Sequence, residues 1–167
     1  YSIGWLEGGK GRDGALTFPE GARWRLSLWD SSAAESALEG ILKDPSVFSG
    51  MQVTEVRKQE TPAFSGEYRF ETDAPVIVRR RRDDGSREYL LFGDKRADET
   101  LTRTLRGKMK AAGLSVDPPT AKVRFDHEHD EARTRLATIE KNGHEIHHKG
   151  SECPVIVEGS PKAARFA

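Results

Sequence analysis

The sequence predicts an α+β protein made of two strand-rich units side by side, each of the β-α-β-β-α-β kind. Three observations carry the prediction. Stretches that alternate apolar and polar residues come in groups, and single helical stretches separate them. At 167 residues the chain suits one domain, or two small ones sharing an interface. A short connector, "TPAFSG" (61–66), divides the elements into two sets, the first of which lacks the opening strand and helix of the pattern.

The elements follow in order. "GWLEGGKGRDGALTFPEG" is rich in glycine and charge and reads as a loop or hairpin between strand pieces. Its "GGKG" lacks the G-x-x-x-x-G-K-[ST] spacing and no long helix follows it, which excludes a phosphate loop. "RWRLSLWD" puts Trp24, Leu26 and Leu28 on one face and Arg25, Ser27 and Trp29 on the other, as a half-buried strand does. Asp30, Ser31 and Ser32 offer N-caps for the helix "AAESALEGILKD", whose Ala34, Leu38, Ile41 and Leu42 share one side before Pro45 ends it. "MQVTEVRKQE" reads as a returning strand.

In the second set, "EYRFETDAPVIVRRRRDDGSREYLLF" holds two strand-like runs flanking "RDDGSR", where Asp84-Gly85 signals a hairpin turn. "ADETLTRTLRGKMKAAG" is helical, with Leu101, Leu105 and Met109 at helical spacing, acids in its first turn and Gly113 at its end. "AKVRFD" is a strand. "ARTRLATIEKNGHEIHHKG" reads as a strand, an Asn142-Gly143 turn and a short return strand. "CPVIVEG" is a continuous apolar strand of the kind buried on both faces, which assigns Val155, Ile156 and Val157 to the core. Ser160 caps a last helix, "PKAARFA", with Pro161 at its first position.

Apolar blocks such as "PVIV" are far shorter than a membrane span, so a membrane is not an expected partner. The single cysteine, Cys153, cannot form an internal disulfide and no signal peptide is visible, so a cytoplasmic location is the expectation. The chain opens at Tyr1 and stops at Ala167 within a predicted helix, as a fragment of a longer protein would.

Charge is balanced overall, 27 basic against 27 acidic residues, but not evenly spread. Between Arg79 and Lys110 there are eleven basic and six acidic residues, a local patch of the kind a polyanion finds. Arginine suits phosphate because its planar fork makes two hydrogen bonds at once. In "VIVRRRRDDG", alternation sends Arg79 and Arg81 to one face and Arg80 and Arg82 to the other, so at least one pair faces solvent or a ligand. Arg87, Lys95 and Arg96 just before the helix, and Lys108 and Lys110 near its end, widen the surface. These nine residues form the candidate RNA-binding set. The strand aromatics Tyr68, Phe70, Tyr89 and Phe92 fit the core better than base-stacking platforms.

"HEIHH" satisfies H-E-x-x-H through His144, Glu145 and His148. A zinc hydrolase needs the two histidines one turn apart on a stable helix. Gly143 and Gly150 bracket the motif too closely for that, and no third ligand follows at useful spacing, so no metal site is expected. As a strand, the same letters send alternate side chains to opposite faces. His127 and His129 in "DHEHDE" lie in a polar, turn-like segment, and His147 and His148 become phosphate ligands if they lie beside the basic patch.

Three segments, "FPEGARWRLSLWD", "DAPVIVRRRRDDGSREYLLFGD" and above all "KGSECPVIVEGSPKAARFA", resemble the CRISPR repeat-processing endoribonucleases of the RAMP superfamily, in the same order over essentially the whole chain. The resemblance implies tandem ferredoxin-like domains: residues 1–65 as the C-terminal part of the first, and 66–167 as the second without its C-terminal end. It also implies an endoribonuclease that binds precursor CRISPR RNA and cuts within the repeats. No cofactor or metal takes part, and attack by the 2′-hydroxyl leaves a cyclic phosphate. Repeat RNA is the implied partner, with other subunits of a CRISPR interference complex as further ones. In that family a histidine, often helped by a tyrosine or lysine, is the acid/base group, in a part of the first domain that would precede Tyr1. None of the five histidines here matches it, so the resemblance assigns no catalytic residue to this chain. A glycine-rich, RNA-contacting loop of the family would lie beyond Ala167. The alternative implied by the same fold is a non-catalytic RNA-binding subunit.

Overall fold

The computed structural model of the chain describes residues 2–4, 6–12, 15–47, 50–114 and 121–167. The chain divides into two compact units, Tyr1–Pro62 and Ala63–Ala167. The architecture is mixed α/β, with small antiparallel sheets and, among the described residues, three helices. None of these helices is long and apolar enough to cross a membrane.

In the first unit β1 (Ser2–Ile3) pairs antiparallel with β4 (Leu26–Ser27), and β2 (Lys10–Arg12) with β3 (Ala15–Thr17). The half-buried strand expected over "RWRLSLWD" shrinks to the two residues of β4. Trp24 stays 46% exposed and donates its indole N–H to the Gly4 carbonyl at 3.0 Å. Helix α1 (Ser31–Lys43) starts where Asp30 accepts from the Ser32 N–H at 2.9 Å; its Leu38 and Ile41 are half-buried and Leu42 is exposed. The returning strand expected over "MQVTEVRKQE" is reduced to one bridge, Ser46 with Gln52. Alternation alone does not make a strand: the backbone groups need a paired neighbour, and no described strand pairs with residues 53–60.

The second unit holds the core. β5 (Glu67–Phe70), β11 (Val155–Glu158) and β8 (Lys122–Phe125) form a three-stranded sheet with β11 central and antiparallel to both neighbours. β5 and β8 therefore run parallel, with α2 (Lys95–Ala111) in the connection between them, and α3 (Pro161–Phe166) follows β11. Alternation explains the packing. Val155 and Val157 lie on the face of Tyr68, Phe70, Val123 and Phe125, and this face meets Leu105 and Met109 of α2 and Ala163 and Ala164 of α3. Full burial of a side chain such as Val123, Phe125, Leu105 or Met109 contributes about 1.5–3 kcal/mol by leaving water. Ile156 points the other way, between Arg69 and Arg124 in register, and is still only 7% exposed. The aliphatic stems of two arginines can shield such a residue while their charged ends stay wet.

Two hairpins complete the unit: β6 (Val78–Arg81) with β7 (Arg87–Leu90), and β9 (Arg133–Lys141) with β10 (His144–Glu152). The run read as one strand from Glu67 is broken between β5 and β6, across a segment containing Pro75, which has no N–H for a ladder. The return strand after Asn142-Gly143 is as long as its partner, nine residues, not short. Lys95 and Arg96 are the first residues of α2 and do not precede it, because Asp94 is the cap and accepts from the Arg96 N–H at 2.9 Å.

Candidate functional site

The loop between β6 and β7 spans Asp83, Asp84 and Gly85. Arg82 N–H donates to the Ser86 carbonyl at 2.9 Å, and Gly85 N–H returns to the Arg82 carbonyl at 3.0 Å. Gly85 adopts φ 82°, which side-chain-bearing residues avoid. The Ser86 side chain and N–H hold the Asp84 carboxyl below its ordinary value, with the N–H donating at 2.8 Å. This loop fixes the register: Val78 opposite Leu90, Arg79 opposite Tyr89, Arg80 opposite Glu88, and Arg81 opposite Arg87.

Residues opposite one another share a face, so the hairpin separates two groups of cations. On one face Val78 and Leu90 are buried, and Arg80 and Arg82 extend beyond them beside Glu88. Glu88 is 14% exposed and receives Arg82 Nε at 3.2 Å and an Arg96 terminal nitrogen at 3.1 Å. Arg96 also clasps Asp94 at 2.7 Å. The Arg96 hydrogen bonds hold the Asp94 carboxyl below its usual range, and the charge of Arg80 adds to this. On the other face Arg79, Arg81 and Arg87 are exposed and, among the described residues, none has a carboxylate within ion-pair distance. Arg81 and Arg87 stand directly opposite each other, an arrangement that costs stability.

The arginine face is joined by β10. Val76 forms a two-way bridge with Ser151, and Phe92 N–H donates to Ser151 Oγ at 3.0 Å. Gly150 permits the approach: a Cβ there would come within 2.9 Å of the Pro75 Cβ and 3.2 Å of Ile77. One pair further along β10, Tyr89 Oη lies 2.7 Å from His148 Nδ1 and donates to the His147 carbonyl at 3.2 Å. Tyr89 is thus not a core aromatic but a polar link from the arginine hairpin to β10. Tyr68 and Phe70 stack with Phe64, centroids 4.6–6.1 Å apart, on the core, and Phe92 packs beside Leu90.

The other candidates lie apart from this arrangement. Lys108 and Lys110 are exposed in the last turn of α2, where they complement the helix dipole, and Lys95 is exposed in its first turn. His127 Nε2 is 2.7 Å from Asp98, and His129 Nδ1 is 3.4 Å from Arg69. His147 turns to the opposite face of β10 from His148 and meets Thr138 Oγ1 at 3.0 Å. His144 and His148 lie on a strand, four residues or about 13 Å apart. No group of three His, Cys, Asp or Glu converges as a metal set among the described residues. A cleft of about 600 Å³ elsewhere is lined by Glu71, Glu131, Glu152, His129 and Arg133, too acidic to attract a polyanion.

No family model and no curated protein matches this sequence. Two solved structures do match. One is the product of a Cas6-related gene from Pyrococcus furiosus, with TM-score 0.76, 14% identity, and coverage of 98% of this chain and 69% of that one. The other is a RAMP protein binding different RNA substrates, with TM-score 0.71, 15% identity, and coverage of 98% and 70%. The chain shares the fold of these two structures. Within this fold the exposed, carboxylate-free arginines belong to the first hairpin of the second unit, and the sequence resemblance noted above agrees with the structural one.

Proposed function

We propose that the chain binds the RNA backbone through Arg79, Arg81 and Arg87, and that it does so as a CRISPR-associated RAMP protein acting on precursor CRISPR RNA. The carrying observation is the placing of Arg81 directly opposite Arg87 with, among the described residues, no carboxylate at ion-pair distance from either. An unneutralised guanidinium cluster is stabilised by phosphates, whose bound counterions it releases. Arg80, Arg82, Lys95, Arg96, Lys108 and Lys110 are further candidate RNA contacts outside that cluster. Tandem ferredoxin-like units, the first incomplete, are the architecture this reading assumes. Its support in the second unit is the order β5, α2, β8, β11, α3 with β11 central.

In the enzymatic form of the proposal the repeat is cut without metal. The 2′-hydroxyl oxygen attacks the adjacent phosphorus, its proton passes to a base, and the 5′-oxygen leaves with a proton from an acid. A second reading, an RNA-binding subunit that does not cut, draws on the face itself: guanidinium groups stay protonated and transfer no proton. Incubation of the chain with repeat RNA in EDTA separates the two. Salt-sensitive binding with products ending in a cyclic phosphate is expected of the enzyme. Binding that leaves the RNA intact in EDTA and in magnesium selects the second reading, and absence of binding overturns both.

A further inference from the structure

We propose that His148 is a titratable phosphate ligand on the arginine face, held ready by Tyr89. This deepens the RNA-backbone reading and rests on it. A protonated imidazole carries two N–H donors. His148 Nδ1 has a partner at 2.7 Å in Tyr89 Oη, whose own proton goes to the His147 carbonyl at 3.2 Å. The chain from imidazolium through phenol to carbonyl therefore gives each of its donors an acceptor without using a carboxylate. The second donor, Nε2–H, has no partner among the described residues. Half-buried His148 thus presents one unmatched, charge-assisted donor when protonated.

The surroundings select the ligand. From the packed hairpin, His148 is faced by Tyr89, with Arg79 across the strand from Tyr89 and Arg81 and Arg87 beyond. Along its own face of the β9–β10 hairpin the charged or titratable groups whose side chains are described are His144, Arg133, Arg135 and Glu152, and Glu152 is engaged by both of those arginines. Among the described residues no carboxylate receives Nε2–H. Nε2–H is open to water or to an anion, and the exposed guanidiniums of Arg79, Arg81 and Arg87 on the adjoining hairpin face favour a phosphate of a polyanion. Neutral His148 contributes little to such binding and protonated His148 adds one charge-assisted contact, so affinity is higher in acid.

The test measures binding of a labelled single-stranded RNA of mixed sequence at pH 5.5 and pH 8.0, with NMR titration of the histidine ring protons alongside. In acid the wild-type protein is expected to bind about tenfold more tightly, the effect of one charge-assisted contact. His148→Ala keeps the alkaline affinity and loses the gain, whereas His147→Ala, on the opposite face, keeps both. Tyr89→Phe removes the acceptor for Nδ1–H and reduces the gain. RNA is expected to shift the His148 ring-proton resonances at pH 5.5. An undiminished acid gain in His148→Ala overturns the proposal. Inorganic phosphate alone provides the arm that does not depend on RNA. It is expected to shift the His148 ring-proton resonances at pH 5.5 but not those of His144, and no shift would overturn the proposal even if RNA binds. Loss of RNA binding at both pH values in wild-type protein, with the phosphate shift intact, overturns the RNA reading instead.

Discussion

The two faces of the β6–β7 hairpin carry similar numbers of arginines and differ in what answers them. On the first, Arg82 and Arg96 converge on the largely buried Glu88, with Asp94 beside them. On the second, Arg79, Arg81 and Arg87 face solvent with no carboxylate at ion-pair distance among the described residues. The first face, with two carboxylates among its three cations, is largely neutralised. The second retains its field, which at physiological ionic strength reaches about 8 Å into solvent. A count of charges along the sequence cannot make this distinction, since both faces come from one run of four arginines.

The largest effect is expected where the faces share a foundation. Leu90 and Val78, at 1% and 3% exposure, anchor the hairpin to the core. Leu90→Ala removes buried methyl groups and leaves a cavity, which costs about 2–5 kcal/mol. Denaturant unfolding should show this loss, and RNA binding should fall with it because neither face keeps its position. Unchanged stability would mean that the hairpin is not seated on the core through this face.

The next effect separates the faces. Replacing Arg79, Arg81 and Arg87 with alanine should flatten the plot of log affinity against log salt by about 2, at about 0.7 per phosphate contact on a single strand. Replacing Arg80 and Arg82 should change that slope much less, since Arg82 already has Glu88 as its counterion. Equal losses in the two variants would erase the distinction between the faces.

Much of this was legible in the sequence. Alternation alone placed Arg79 and Arg81 opposite in sense to Arg80 and Arg82, Asp84-Gly85 gave the turn, Leu105 and Met109 fell on one helical stripe, and Ile156 and Val157, assigned to the core, are buried. The register was not legible. A three-residue loop puts Glu88 opposite Arg80, whereas a two-residue loop centred on Asp84-Gly85 would put it opposite Arg81 and neutralise the other face. One residue of loop length thus decides which arginines stay free. Tyr89 shows the same limit. Its alternation suits a core aromatic, and only the approach of β10 at Gly150 gives its hydroxyl a partner. In the first unit alternation misled over residues 51–60, because pairing depends on a neighbouring strand that local pattern does not report.

A smaller change should convert one face toward the other. Glu88→Gln removes the carboxylate that Arg82 and Arg96 share while keeping its shape. The freed guanidiniums should steepen the salt dependence of RNA binding by about 0.7–1.4, one or two additional contacts. The stability cost should be small, about 0–1 kcal/mol, because both arginines are about half exposed. No change in slope would place the carboxylate face outside reach of the RNA.

The smallest effect tests the carboxylate face without RNA. Arg96 lowers the Asp94 carboxyl from its ordinary 3.8, so the folded state holds the ionised form more strongly than the unfolded chain does. The resulting stability is present above the ordinary value and is lost as pH falls through the lower, folded-state value. Asp126, lowered chiefly by Arg69, and Glu152, lowered chiefly by Arg133, contribute with the same sign elsewhere in the unit, so the wild-type profile alone cannot isolate Asp94. Asp94→Asn can, because asparagine still caps α2 but carries no charge. The gap in melting temperature between wild type and this variant should be constant from pH 7 to about pH 5 and close below about pH 4. The Arg79, Arg81 and Arg87 triple variant should leave the acid limb unchanged, since no carboxylate depends on those side chains. A shift of the acid limb in the triple variant would reveal a carboxylate partner on the arginine face and end the asymmetry on which its RNA role rests.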